Sequence, residues 1–134
     1  MNLFAVDTDT LPTSFGVFRP VGHVMVGLPT QAQTDTLASA LQGAGWDSSA
    51  VQQFKPRESV ADMEALVEQA GPMAGFGYEI TLLRRYLGLA RKGYRWLLVK
   101  VSGTEQAAQA AELARDRGAT LAVHYRLLTE EELI

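Results

Sequence analysis

The stretch YRWLLVKVSGTEQAAQAAELARDRGATLAVHYRLL, residues 94–128, decides the reading of this chain. It opens on an apolar run rich in β-branched and aromatic residues, the pattern of a strand. Ser102-Gly103-Thr104 interrupts that run. Ala107, Ala110, Ala111 and Ala114 then recur at helical spacing, and their small size lets a helix sit close against a sheet. Gly118 ends the helix, and a second apolar run follows from about 120 to 128. The unit is strand, helix, strand. A looser copy lies upstream: HVMVGLPT at 23–30, a helix with Leu37, Ala38 and Leu41 on one face, ALQGAGW at 40–46, and VQQF at 51–54. Thr30 and Thr104 open the two helices, and Gln33 is placed to complete a capping box with Thr30. Gly43 or Gly45 closes the first helix as Gly118 closes the second. Two such units in one domain predict an α+β fold, the ferredoxin-like plait, with helices on one face of a four-stranded antiparallel sheet. The first and third strands are expected to be parallel neighbours, with the second and fourth at the edges.

Between the halves lies an insertion at about 57–92, too long for a bare loop. It reads as two helices. Ser59 and Asp62 begin the first, whose apolar face is Met63, Leu66, Val67 and Ala70. The stretch GPMAGFG at 71–77 is a joint. The second helix runs from about 78 to 92 with two apolar stripes: Ile80, Leu83, Leu87 and Ala90, then Leu82, Tyr86 and Leu89. Two stripes imply cover on two sides. Residues 1–20 read as an N-terminal arm, with Phe15-Gly16-Val17-Phe18 lying on the body of a single domain at 21–134. Thr129 followed by Glu130, Glu131 and Glu132 reads as a capped final helical turn, because acids favour a helix N-terminus.

The chain has 134 residues, an apolar fraction of 47% and a net charge of −3. That suits one folded domain and weighs against a general nucleic-acid binder. Cysteine is absent, which excludes thiol chemistry and accords with a cytoplasmic setting. No apolar run approaches the roughly 20 residues that span a bilayer, so no membrane role is expected. Asp7 and Asp9, with no basic run, argue against a signal peptide.

From about His23 to Tyr125 the chain resembles small bacterial domains of the general-stress-protein type. The likeness rests on Tyr86 and Leu89, Gly93, WLLVKV, the alanine-rich helix and GATLAVHY, and less closely on VMVGLPT and ALQGAGW. The resemblance implies a ferredoxin-like plait with a variable middle. It supplies no catalytic residue. Many such domains carry a glycine-zipper membrane segment in the middle, where this chain has two amphipathic helices.

Four sets of residues are candidates for function. The third strand places Leu97, Val99 and Val101 toward the helices and Tyr94, Trp96 and Leu98 on the other face, which Met25, Gly27, Ala122 and His124 are expected to share. So apolar a face needs a cover. Met25, Tyr86, Tyr94, Trp96 and Leu98 are therefore candidate interface residues of a homodimer, unless the insertion helices fold over them. Six of the twelve basic residues fall between 84 and 100, and Arg84, Arg85, Lys92 and Arg95 are candidate anion or ligand contacts, with the amides of the GFG joint nearby. Lys92-Gly93-Tyr94-Arg95-Trp96 partly matches the RNP1 pattern, which gives an alternative as an RNA or nucleotide binder using Tyr94 and Trp96. His23 and His124, the only histidines, would stand near each other on neighbouring strands and give a second alternative, a small enzyme. No catalytic residue, metal site or cofactor is expected. The leading expectation is a non-catalytic cytoplasmic module that works through protein or small-ligand contacts.

Overall fold

The computed structural model describes residues 6–8, 20–54, 60–61, 63–65, 78–126 and 130–134. Along them run β1 (Val6–Thr8), β2 (His23–Leu28), α1 (Gln31–Gly43) and β3 (Val51–Phe54). Then come α2 (Tyr78–Arg91), β4 (Arg95–Lys100), α3 (Thr104–Asp116), β5 (Leu121–Tyr125) and β6 (Glu130–Glu132). Residues 60–61 and 63–65 are also helical. The strands form one sheet in the order β1-β3-β4-β2-β5-β6.

The fold is α+β. β2 sits at the centre, antiparallel to β4 on one side and to β5 on the other. The expected neighbours β2 and β4 are adjacent, but antiparallel rather than parallel. The cause is topological. The α1 crossover leaves β2 and β3 pointing the same way, and β4 lies between them and opposes both. The edges also differ from expectation. Val6–Thr8, assigned from sequence to an N-terminal arm outside the sheet, pairs in parallel with β3. Glu130–Glu132 pairs antiparallel with β5 instead of opening a helix. Glu is depleted in strands, so the strand comes from its neighbours. The Leu133 amide donates to the Ala122 carbonyl at 2.8 Å, and Leu133 and Ile134 pack on the core. Three acids on a sheet edge also discourage pairing with another chain.

The Thr30 cap forms as expected. The Gln33 amide donates to the Thr30 hydroxyl at 3.2 Å, and that hydroxyl meets Gln33 Oε1 at 2.8 Å. Thr104 is not a cap. Gly103 holds that position, and Gln106 Oε1 instead accepts from the Ser102 amide at 2.8 Å. Gly45 and Gly118, at φ 112° and 82°, end the helices in the left-handed conformation that glycine tolerates.

Each face of the sheet has its own core. On one, Leu37, Ala38 and Leu41 of α1 and the alanines of α3 cover Val24, Val26, Leu97 and Val99. Trp46 closes this core and donates its indole N–H to the Lys100 carbonyl at 2.7 Å. On the other face, α2 and Met63 cover Met25, Phe54, Trp96, Leu98, Val123 and Tyr125. Leu82, Leu83, Tyr86, Leu87 and Ala90 are all buried there. The two stripes expected on this helix are thus one broad face, since those positions repeat every three to four residues. Each large apolar side chain buried contributes roughly 1.5–3 kcal/mol, ample to hold α2 on the sheet. Ser59, Asp62, Leu66, Val67, Ala70, the joint at 71–77 and residues 15–18 lie outside the described residues.

Candidate functional site

The second core supplies the cover that the apolar face was expected to need, and it comes from the insertion helix α2. Met25, Tyr86, Trp96 and Leu98 are enclosed within one chain, each at most 1% exposed. Tyr86 packs edge-on against Trp96, with ring centroids 5.2 Å apart, and its hydroxyl meets that of Tyr125 at 2.6 Å. The apolar face therefore calls for no second chain. Among the described residues Val21 is the one large hydrophobic side chain left exposed. Trp96 offers no ring for a base to stack on, and half-buried Tyr94 packs beside the same core with its hydroxyl 3.0 Å from that of Thr120.

The two histidines do not meet. His124 lies opposite Val24, which faces the α1–α3 core, and His23 lies opposite Tyr125, which faces α2. Directly opposed residues share a face, so the imidazoles belong to opposite sides of the sheet. This corrects the expected sharing of one face by Met25, Ala122 and His124. The His23 ring contacts the Val21 carbonyl at 3.1 Å. His124 is buried, and burial pushes its imidazole below the ordinary 6.5, with Arg126 adding to the shift and Glu131 opposing it. Among the described residues no group of three or more His, Cys, Asp or Glu is placed to hold a metal ion. Nor is any helix among them long and apolar enough to cross a membrane.

The basic stretch is divided. Arg95 pairs with Leu28 and so lies on the α1–α3 side. Arg84 is exposed on α2. Arg91 binds Glu64 at 3.0 Å. Of the four anion-site candidates, Arg85 and Lys92 line one cleft together. Arg85, Gly88 and Leu89, on one face of α2, and Lys92, just past its end, line one wall. Thr120 and Leu121 line the other. The Gly118 turn and the bond from the Thr120 amide to the Gly27 carbonyl at 3.0 Å fix this second wall. The volume is about 280 Å³.

Set against known proteins, the chain matches no family model, and no curated protein or solved structure matches it significantly.

The chemistry of the cleft follows from its walls. Leu89 on one wall and buried Leu121 on the other give apolar surface, Arg85 and Lys92 bring two cations, and Thr120 brings a hydroxyl. Gly88 supplies the space. A Cβ built there meets nothing within 4 Å. Glycine in a helix interior destabilises by about 1 kcal/mol relative to alanine, so the smooth wall is kept against helix propensity. The Leu89 and Ala90 carbonyls at the end of α2 accept from Tyr94, Lys92 and Gly93 amides, which tempers the negative end of the helix. A hollow of about 420 Å³ between α1 and the end of α3 is larger, but its lining of Asp35, Thr36, Ser39, Ala40 and Arg117 is mostly polar. Gly88, Thr120 and Leu121 were not singled out from sequence, and Glu132, which grips Arg85, was read only as part of a final helical turn. Only Gly88 carried a signal, as an isolated glycine inside a helical pattern.

Proposed function

We propose that this protein is a non-catalytic binding module whose cleft between α2 and the start of β5 takes a small anion with a short apolar body. The observation that carries this reading is the cleft itself: Arg85 on α2 and Lys92 just past its end line it together with Leu89 and Leu121, beside a glycine that leaves the wall open. A carboxylate or phosphate accepts charge-assisted hydrogen bonds from such cations. The volume falls just below the range of about 300–1,000 Å³ usual for ligand pockets, which favours a compact molecule such as an aryl phosphate or carboxylate. The scaffold is a ferredoxin-like plait, supported by the central order β3-β4-β2-β5 and two helical crossovers, with β1, β6 and α2 added to it. The reading needs no second chain. A cytoplasmic setting and kinship with general-stress-protein domains belong to the same proposal and supply no site residue.

Phenyl phosphate titrated into isotope-labelled protein tests it. Amide shifts at Gly88, Leu89, Thr120 and Leu121 should saturate at roughly millimolar probe or below, a modest binding energy of about 4 kcal/mol. Gly88→Leu fills the cleft with a better helix former, so it should fold and lose the response. Lys92→Glu should weaken it. Saturation that survives in Gly88→Leu would refute the assignment.

A further inference from the structure

We infer that Glu132 is a resident competitor for the cleft's anion, and that ligand binding releases strand β6. This rests on the anion reading of the same cleft. Glu132 lies opposite Val123, which faces the core beneath α2, so both project to the α2 side of the sheet. There Arg85 Nη1 donates to Glu132 Oε1 at 2.7 Å. Arg85 also lines the cleft. A carboxylate from the chain itself thus occupies the guanidinium that an incoming anion would seek.

The contact is built to exchange. The side chains of Arg85 and Glu132 are 46% and 38% exposed, and exposed ion pairs hold weakly. β6 is three residues long and lies at the sheet edge, the kind of element that opens before the core does. Its other ties include the ladder to β5, the Leu133 and Ile134 amides on the Ala122 carbonyl, the packing of Leu133 and Ile134 on the core and the Arg115 guanidinium on the Leu133 carbonyl at 3.0 Å. Glu130 stands opposite Tyr125 and so falls on the same face as Glu132. An anion that takes Arg85 removes a positive charge from these two acids and adds a negative one beside them. Binding in the cleft and docking of β6 therefore oppose each other.

Glu132→Gln separates this inference from the reading beneath it. Phenyl phosphate affinity should rise about two- to five-fold in that variant, the scale of an exposed ion pair. In wild-type protein, saturating probe should speed hydrogen exchange at the Leu133 amide, and in Glu132→Gln that response should shrink. Binding seen in Glu132→Gln alone would also support the competition. If wild type binds, Lys92→Glu does not, and Glu132→Gln binds no more tightly, Glu132 is only a clasp and the inference falls while the cleft stands. If neither wild type nor Glu132→Gln binds, or Lys92→Glu binds equally well, both fall.

Discussion

Gly27 should not tolerate a methyl group, and the reason is Trp96. The two residues face each other across β2 and β4. A Cβ built on Gly27 falls 2.7 Å from Cζ3, 3.1 Å from Cη2 and 3.4 Å from Cε3 of the indole. Carbon atoms rest at about 3.5–4.0 Å, so the ring must retreat by about 0.8 Å or more. It has little room to do so. Trp96 is fully buried, with Tyr86 of α2 packed against it. Overpacking of this kind costs about 1–3 kcal/mol, against a domain stability of about 5–15 kcal/mol. With urea slopes of about 1–3 kcal/mol per molar, Gly27→Ala should lower the unfolding midpoint by roughly 1 M. Because Phe lacks the atoms in conflict, most of the loss should vanish in a Trp96→Phe background, giving a measurable coupling energy. Circular dichroism melts of the four proteins would settle the point. A wild-type midpoint for Gly27→Ala, or an equal loss in both backgrounds, would show that Trp96 does not press on β2 and that α2 is not seated as described.

Further expectations concern the other strained or buried positions. Since burial lowers the His124 pKa below 6.5, the unfolded chain binds more protons below that pH. Stability is therefore full above about 6.5, falls as the pH drops toward the folded-state value, and changes no further below it; His124→Gln should flatten that slope in urea melts, and an unchanged slope would place the pH dependence elsewhere. Gly118→Ala should lose about 1–2 kcal/mol for its left-handed backbone, and a little more because the new methyl pushes the flexible Gln33 amide away from its bond with Thr30. Gly93→Ala, where space is free, should lose only the backbone part; equal melts for the two variants would remove the Gln33 contact from the account.

Much of the fold was legible because its signals are local. The Thr30 cap, the alanines of α3 and the alternation of β4 each follow from spacing within one element. The antiparallel sheet was legible in the paired units, but the orientation of β2 against β4 was misread, since parallel and antiparallel strands share the same period of two. The face assignment of β5 failed for a related reason. Leu121, Ala122, Val123, His124 and Tyr125 are all buried, so alternation carries no phase, and only pairing with β2 sets it. β6 was hidden because Glu130–Glu132 joins the sheet through Leu133 and Ile134, not through strand propensity. Arg85 and Lys92 could be picked out as cations, yet their partners Thr120 and Leu121 come from another element.

Where both faces of a sheet are buried, contact with other molecules moves to its rims and to the ends of its elements. The described residues follow that rule. The apolar side of α2 is spent on Trp96 and Leu98, and the side left to solvent carries Arg84, Arg85 and Arg91. The nearest rim carries Glu130 and Glu132. A basic helix face beside an acidic edge strand has two ways to neutralise its charge, through the edge or through a ligand. Arg85 is the residue that both would use, because it touches Glu132 and also lines the cleft. The helix that seals the core is thereby also the element through which occupancy of the cleft would reach the sheet edge.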